Sequence, residues 1–131
     1  MKKGKLLNSE LSYEVAKIGH TQTMVICDCG FPIPLEVKRI DLAVTDHVPG
    51  FLATLDAVLT EMEVEKIILA QQIKSASPQM EAEILKRFPK AEVVYVDHPD
   101  FKKMSKEAAC VVRTGEMTLY ANIILQSRAT F

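Results

Sequence analysis

The chain has 131 residues, 48% of them hydrophobic and 25% charged, with a net charge of −1. That length fits one domain over residues 1–131 with a substantial core, and the balanced charge supplies no basic field to hold nucleic acid or an anionic membrane. With three Tyr, five Phe and no Trp, an aromatic platform for stacked bases is not expected either.

The first seven residues, Met1 to Leu7, begin with positive charge but lead into Asn8, Ser9 and Glu10, so no signal-peptide apolar stretch is expected. No apolar run approaches the ~18–20 residues that span a bilayer. Asn8 or Ser9 caps a predicted helix with Leu11, Val15 and Ile18 on one face, stopped by Gly19. Met24 to Cys27 is a short apolar run suited to a strand buried on both faces, and Arg39 to Val44 is a second predicted strand. Pro49 opens a helix with a stripe of Leu52, Leu55, Leu59 and Met62. Lys66 to Ala70 reads as another strand. Ser77-Pro78 starts a helix running to about Phe88-Pro89, with Leu85 and Phe88 inward. Ala91 to Val96 is a strand, His98-Pro99 leads into a short helix through Phe101 and Met104, and Cys110 to Arg113 and Asn122 to Gln126 complete the strands.

This alternation predicts a three-layer α/β/α domain with a mostly parallel, mixed sheet. Such sheets place their ligand site outside the carboxyl ends of the strands. The rule selects Asp28, Gln71, Gln72, Asp97, His98 and Arg113 to Glu116. Tyr120 and Asn122 precede the last strand instead. Either that strand runs antiparallel, or its start serves the site of a neighbouring subunit.

His20 follows a helix end, and histidine as a residue type can both give and take a proton near neutral pH; a plain helix-end contact is the alternative. Asp28 ends a strand on the face of Met24 and Ile26, where a carboxylate needs a partner. His98 is either a strand-end site residue or the start of a helix, and His47 reads as a surface loop residue. Cys27, Cys29, Cys110 and His20 make a zinc set on paper, but Cys27-x-Cys29 is not the spacing of structural zinc sites. These thiols read as small apolar residues in a reducing cytosol, with no metal. Arg113-Thr114-Gly115-Glu116 joins a strand to a turn, and its single Gly makes no phosphate loop.

Several segments together resemble the D-ribose pyranase family, the sugar mutarotase-like proteins of bacterial ribose operons. They are Asn8-Ser9 with Gly19-His20-Thr21, Val25-Ile26 through Asp28, Gly30, Pro32 and Pro34, Arg39 to Leu42, Val64-Glu65-Lys66, His98 with Phe101-Lys102, Val112 to Glu116, and Tyr120-Ala121-Asn122-Ile123-Ile124-Leu125. The resemblance implies a cytoplasmic isomerase without cofactor that interconverts β-pyranose and β-furanose ribose. It implies His20 as proton donor, and Asp28, His98, Tyr120, Ala121 and Asn122 as substrate contacts. It also implies a homo-oligomer, pentameric rings pairing to a decamer, with sites between subunits. The chain departs from the family at Cys27 and Cys29, at Leu119 where Pro is usual, and at Ser127-Arg128-Ala129. Loss of the Pro is expected to loosen the turn that presents Tyr120. Competing readings are a mutarotase for another sugar such as fucose, against which Tyr120-Ala121-Asn122 argues, and a non-enzymatic ribose-binding accessory of a transporter.

Overall fold

The apolar runs become the strands of one six-stranded sheet in a computed structural model that describes residues 1–131. The strands are β1 (Thr23–Cys27), β2 (Arg39–Asp41), β3 (Val64–Ala70), β4 (Glu92–Val96), β5 (Cys110–Arg113) and β6 (Ile123–Ser127), in spatial order β2-β5-β1-β6-β3-β4. β5 pairs parallel with β1 and β2, and β3 pairs parallel with β4. β6 lies between β1 and β3 and runs antiparallel to both. The predicted mixed, mostly parallel α/β architecture is the observed one. The antiparallel option for the last strand is realised, so Tyr120 and Asn122 need no neighbouring subunit to reach the site end of their own sheet.

The helices are α1 (Ser9–Lys17), α2 (Phe51–Leu59), α3 (Ile73–Ala76), α4 (Pro78–Lys86) and α5 (His98–Met104), the last followed by a 3-10 turn at Ser105–Glu107. None is long and apolar enough to cross a membrane. Side-chain alternation along the strands divides the core. Met24, Ile26, Ile67, Leu69, Cys110, Val112, Ile123 and Leu125 face Leu11 of α1, Phe51, Leu55 and Val58 of α2 and Ile84 of α4. Val25, Cys27, Ile68, Val111 and Ile124 face the other way. That second layer is thin: Phe101 of α5 and the irregular segment carrying Phe31, Ile33 and Val37 cover it.

Local signals account for most element boundaries. Asn8 caps α1 by accepting from the Leu11 amide at 3.0 Å. Gly19 does not end the helix in a left-handed conformation; α1 stops at Lys17, and the left-handed residue is Thr21 (φ 69°). The second strand ends early. Asp41 accepts from the Ala43 amide at 3.1 Å, which turns the chain away and leaves Val44 exposed. α2 is rotated from the predicted stripe: Phe51, Thr54, Leu55 and Val58 are its buried positions, while Leu52 and Leu59 are only half-buried. Gly50, not Pro49, sits at its N-cap. Packing against β1 chose the face that the heptad-like spacing of leucines left open.

Phe101 is fully buried and is the main aromatic of the thin layer. Phe101→Ala is expected to cost about 3–5 kcal/mol of unfolding free energy, read from denaturant midpoints. It should also loosen α5, which begins at His98.

Candidate active site

The carboxyl ends of the parallel strands and the start of β6 meet along one edge. There, Asp28 and Asn122 exchange two hydrogen bonds: the Asp28 amide donates to Asn122 Oδ1 at 2.9 Å, and Asn122 Nδ2 donates to Asp28 Oδ2 at 2.9 Å. Asp28 Oδ1 accepts from the Gly30 amide at 2.9 Å, so the carboxylate is aimed from both sides. Asn122 is 1% exposed while Asp28 is half-buried, which leaves the acid at the rim and its brace inside.

His98 opens α5 beside this pair. Its ring meets Tyr120 edge-on with centroids 5.1 Å apart and stacks on Phe101 at 6.4 Å, and Phe31 meets it edge-on at 6.2 Å. Its backbone amide donates to Gln72 Oε1 at 3.1 Å, tying α5 to the end of β3. Burial lowers the His98 pKa, Lys102 adds to this, and Asp28 opposes it. The imidazole is therefore neutral near pH 7, with one donor and one acceptor nitrogen. Nδ1 is buried and has no hydrogen-bond partner within the chain. A neutral ring of this kind suits a sugar hydroxyl, which both gives and accepts hydrogen bonds.

Tyr120 takes a left-handed backbone (φ 59°), and the Asn122 amide donates back to the Tyr120 carbonyl at 2.8 Å. This tight turn throws the Tyr120 ring toward His98 while Ala121 drops fully into the core. Any contact from Ala121 to a ligand is thus made by its backbone. The turn is not left loose by Leu119, because Ser77 Oγ donates to the Leu119 carbonyl at 2.7 Å.

The segment Arg113 to Glu116 braces this edge. Arg113 holds both Asp41 oxygens at 3.1 and 3.2 Å and the Cys29 carbonyl at 3.0 Å. Thr114 Oγ1 donates to the Cys27 carbonyl at 2.7 Å. Gly115 is packed so closely that a Cβ there would lie 2.4 Å from the Thr45 carbonyl oxygen. Glu116, 5% exposed, accepts from the Phe51 amide at 2.9 Å, the Thr118 hydroxyl at 2.8 Å and the Thr118 amide at 3.3 Å, and pairs with His47 Nδ1 at 2.9 Å. Burial pushes the Glu116 carboxyl up, but the Phe51 and Thr118 donors and His47 outweigh it, and the net pKa is lowered. The strand-end rule selects Arg113 to Glu116, but residue order alone does not announce the partners that make it a brace. His47 is exposed as expected of a loop, yet it contributes to the brace.

His20 is elsewhere. It precedes β1 and reaches Glu65, near the start of β3, at 3.2 Å. Asp28 follows the far end of β1, so at ~3.3 Å per strand residue the two lie roughly 15–20 Å apart. Asp28 therefore cannot orient His20 within one chain. The cysteines do not converge either: Cys27 and Cys110 point into opposite core layers. Burial pushes both thiols up, Cys110 to about 12, so they remain protonated small apolar groups.

Two measurements check this geometry. Gly115→Ala is expected to destabilise the fold by about 1–3 kcal/mol in urea titrations, since the intruding methyl meets backbone. Glu116→Gln is expected to cost about 1–3 kcal/mol near neutral pH, because its amide turns a donor toward donors. The lowered Glu116 pKa contributes stability that is full above its unfolded value and lost as pH falls through the folded one. Melting temperatures of Glu116→Gln should therefore fall less steeply than those of the parent on the acid side.

Residues 1–130 match the RbsD / FucU transport protein family. The chain is 50% identical over 131 residues to a D-ribose pyranase of Geobacillus thermodenitrificans (strain NG80-2), covering 100% of this chain and 99% of that one. It is 48% identical over 139 residues to a D-ribose pyranase of Actinobacillus pleuropneumoniae serotype 5b (strain L20), covering all of both. Among solved structures, Bacillus subtilis RbsD complexed with D-ribose matches with a TM-score of 0.97 and 41% identity over the whole of both chains. The fucose mutarotase of Streptococcus pneumoniae in complex with L-fucose, at 23% identity and a TM-score of 0.85, shares the fold. From end to end, in sequence and in the order and direction of its strands, the chain belongs to the RbsD / FucU transport protein family.

Proposed function

We propose that this chain is a D-ribose pyranase, an isomerase that interconverts β-D-ribopyranose and β-D-ribofuranose, with residues 1–131 acting as one catalytic domain. The observation that carries the reading is the edge built from Asp28, His98, Tyr120 and Asn122, joined to half identity over the full chain with proteins of that name. The edge offers what a free pentose needs. It has a carboxylate acceptor, a neutral imidazole, a phenol and aromatic faces.

Changing ring size requires opening the ring. The C1–O5 bond of the pyranose breaks, its electron pair and a proton go to O5, and the anomeric hydroxyl loses a proton as C1 becomes an aldehyde. The furanose closes when the C4 hydroxyl adds to C1, gives up its proton, and the carbonyl oxygen takes one back. In our reading His20 supplies and recovers the proton at the ring oxygen. Asp28, His98 and Asn122 hold the other hydroxyls, Tyr120 donates from its phenol, and the Ala121 backbone borders the sugar.

The separation of His20 from that edge supports a site shared between copies. One copy brings Asp28, His98, Tyr120 and Asn122, and a neighbouring copy brings His20. The reading thus requires a homo-oligomer, with pentameric rings pairing to a decamer as the arrangement we adopt, acting in the cytoplasm on free ribose.

NMR saturation transfer between ribose ring forms tests the activity. The parent should accelerate exchange, and His20→Ala should lose about 10²–10⁴-fold, the usual worth of a general acid. Full exchange in His20→Ala removes His20 from the mechanism. Binding of ribose without any acceleration by the parent removes the enzyme reading. Mixed oligomers test the shared site: His20→Ala and Asn122→Ala subunits, each inactive alone, should regain activity when co-assembled. No recovery in verified mixed oligomers places the acid and the binding edge in the same copy.

A further inference from the structure

His20 is held by a device at the opposite end of the sheet from the sugar-binding edge. Its Nε2 lies 3.2 Å from Glu65 Oε2, and the other carboxylate oxygen, Oε1, accepts from Gln126 Nε2 at 2.7 Å. Two backbone irregularities make this contact. β3 carries a bulge between Val64 and Lys66, where the pairing with β6 shifts register. In an unbroken register Glu65 would share the face of Ile67, and Gln126 the opposite face with Ile124. The bulge brings the two side chains together, as bulges beside functional sites do when they re-aim a residue. On the other side, Thr21 adopts φ 69° immediately after His20, and its amide donates to the Ser127 carbonyl at 3.0 Å. A β-branched residue in that region is strained, and such strain persists only where the surroundings hold it.

We infer that Glu65, anchored by Gln126, is a positioning residue for His20: it holds Nε2–H and leaves Nδ1 as the nitrogen that delivers the proton to the sugar of the neighbouring copy. This rests on the proposed role of His20. A carboxylate on one nitrogen fixes the tautomer and the ring plane, which a general acid needs. The His20 ring is 54% exposed and Glu65 31%, so the pair sits at a surface open to a second copy. Hydrogen bonds from Gln126 and His20 keep the Glu65 carboxyl below its usual pKa. Other charged groups around His20 are Glu61, Glu63 and Arg128, which line the same cleft with the chain-terminal Phe131, while Lys66 acts on Glu65 from the next position. None of these is hydrogen-bonded to the imidazole; Glu65 alone is.

The test compares Glu65→Gln, Glu65→Ala and Gln126→Ala with the parent and with His20→Ala. Melting and sedimentation first identify the variants that keep the parent's fold and assembly. Glu65→Ala is expected to lower the saturated exchange rate at least tenfold while the ribose KM changes less than twofold. Glu65→Gln keeps the shape but accepts the Nε2 proton less strongly, so it should lose rate at unchanged KM, by less than Glu65→Ala. Gln126→Ala should give a smaller loss in the same direction. With selectively 15N-labelled histidine, of which the chain has three, neutral His20 should be the Nε2–H tautomer in the parent and a mixture in Glu65→Ala. Parent-like rate and tautomer in folded Glu65→Ala overturn the inference while His20→Ala remains inactive. Full activity of His20→Ala instead overturns the reading of His20 itself.

Discussion

The insertion of β6 between β1 and β3, antiparallel to both, is the constraint on which the rest of the molecule depends. In an all-parallel sheet the start of every strand lies at the edge away from the ligand site. Because β6 alone is reversed, its start lands beside the carboxyl ends of β1 and β3. That single reversal puts Asn122 opposite Asp28 and turns the Tyr120 ring onto His98. The same strand carries its end to the far edge, where Gln126 holds Glu65, which in turn reaches His20. Both halves of the proposed chemistry are thus tied to one five-residue strand and the turn before it.

A reversed central strand must be entered by a loop that crosses the site, and irregular backbone near a site needs its polar groups matched. Arg113 to Glu116 supply the match. The arginine joins Asp41 to the Cys29 carbonyl, the threonine closes on Cys27, the glycine permits backbone-to-backbone approach, and the glutamate accepts from the start of α2 and from Thr118. The left-handed Tyr120 is held at the end of this braced segment. Ser77 closes the same turn from α4's side and does what a proline at position 119 would do by fixing the backbone.

The proposed split of the site between two ends of the sheet has a physical consequence. A binding edge without an acid can hold a sugar but cannot open it, and an exposed acid without a binding edge has nothing oriented before it. In the proposed assembly, activity appears only when two copies meet, which makes oligomerisation part of the catalytic apparatus.

The positions of the strands were legible because apolar runs such as Met24 to Cys27 and Lys66 to Ala70 are local, and the cap at Asn8 is too. Residue types at strand ends pointed to Asp28 and His98 from the general rule for open α/β sheets, and the motif Tyr120 to Asn122 came from resemblance. The face of α2, the bulge at Glu65 and the brace at Glu116 were not legible. Each depends on a partner far along the chain: Glu116 and Phe51 are 65 residues apart, Glu65 and Gln126 are 61. By itself, then, the sequence determined the elements, their alternation and the family, because these follow from nearest-neighbour propensity, periodicity and shared motifs. Only the tertiary structure decided that β6 runs backwards, that Asp28 and Asn122 clasp within one chain, and that His20 stands at the other end. Strand direction and register are set by contacts between distant segments, and no local run of residues contains them.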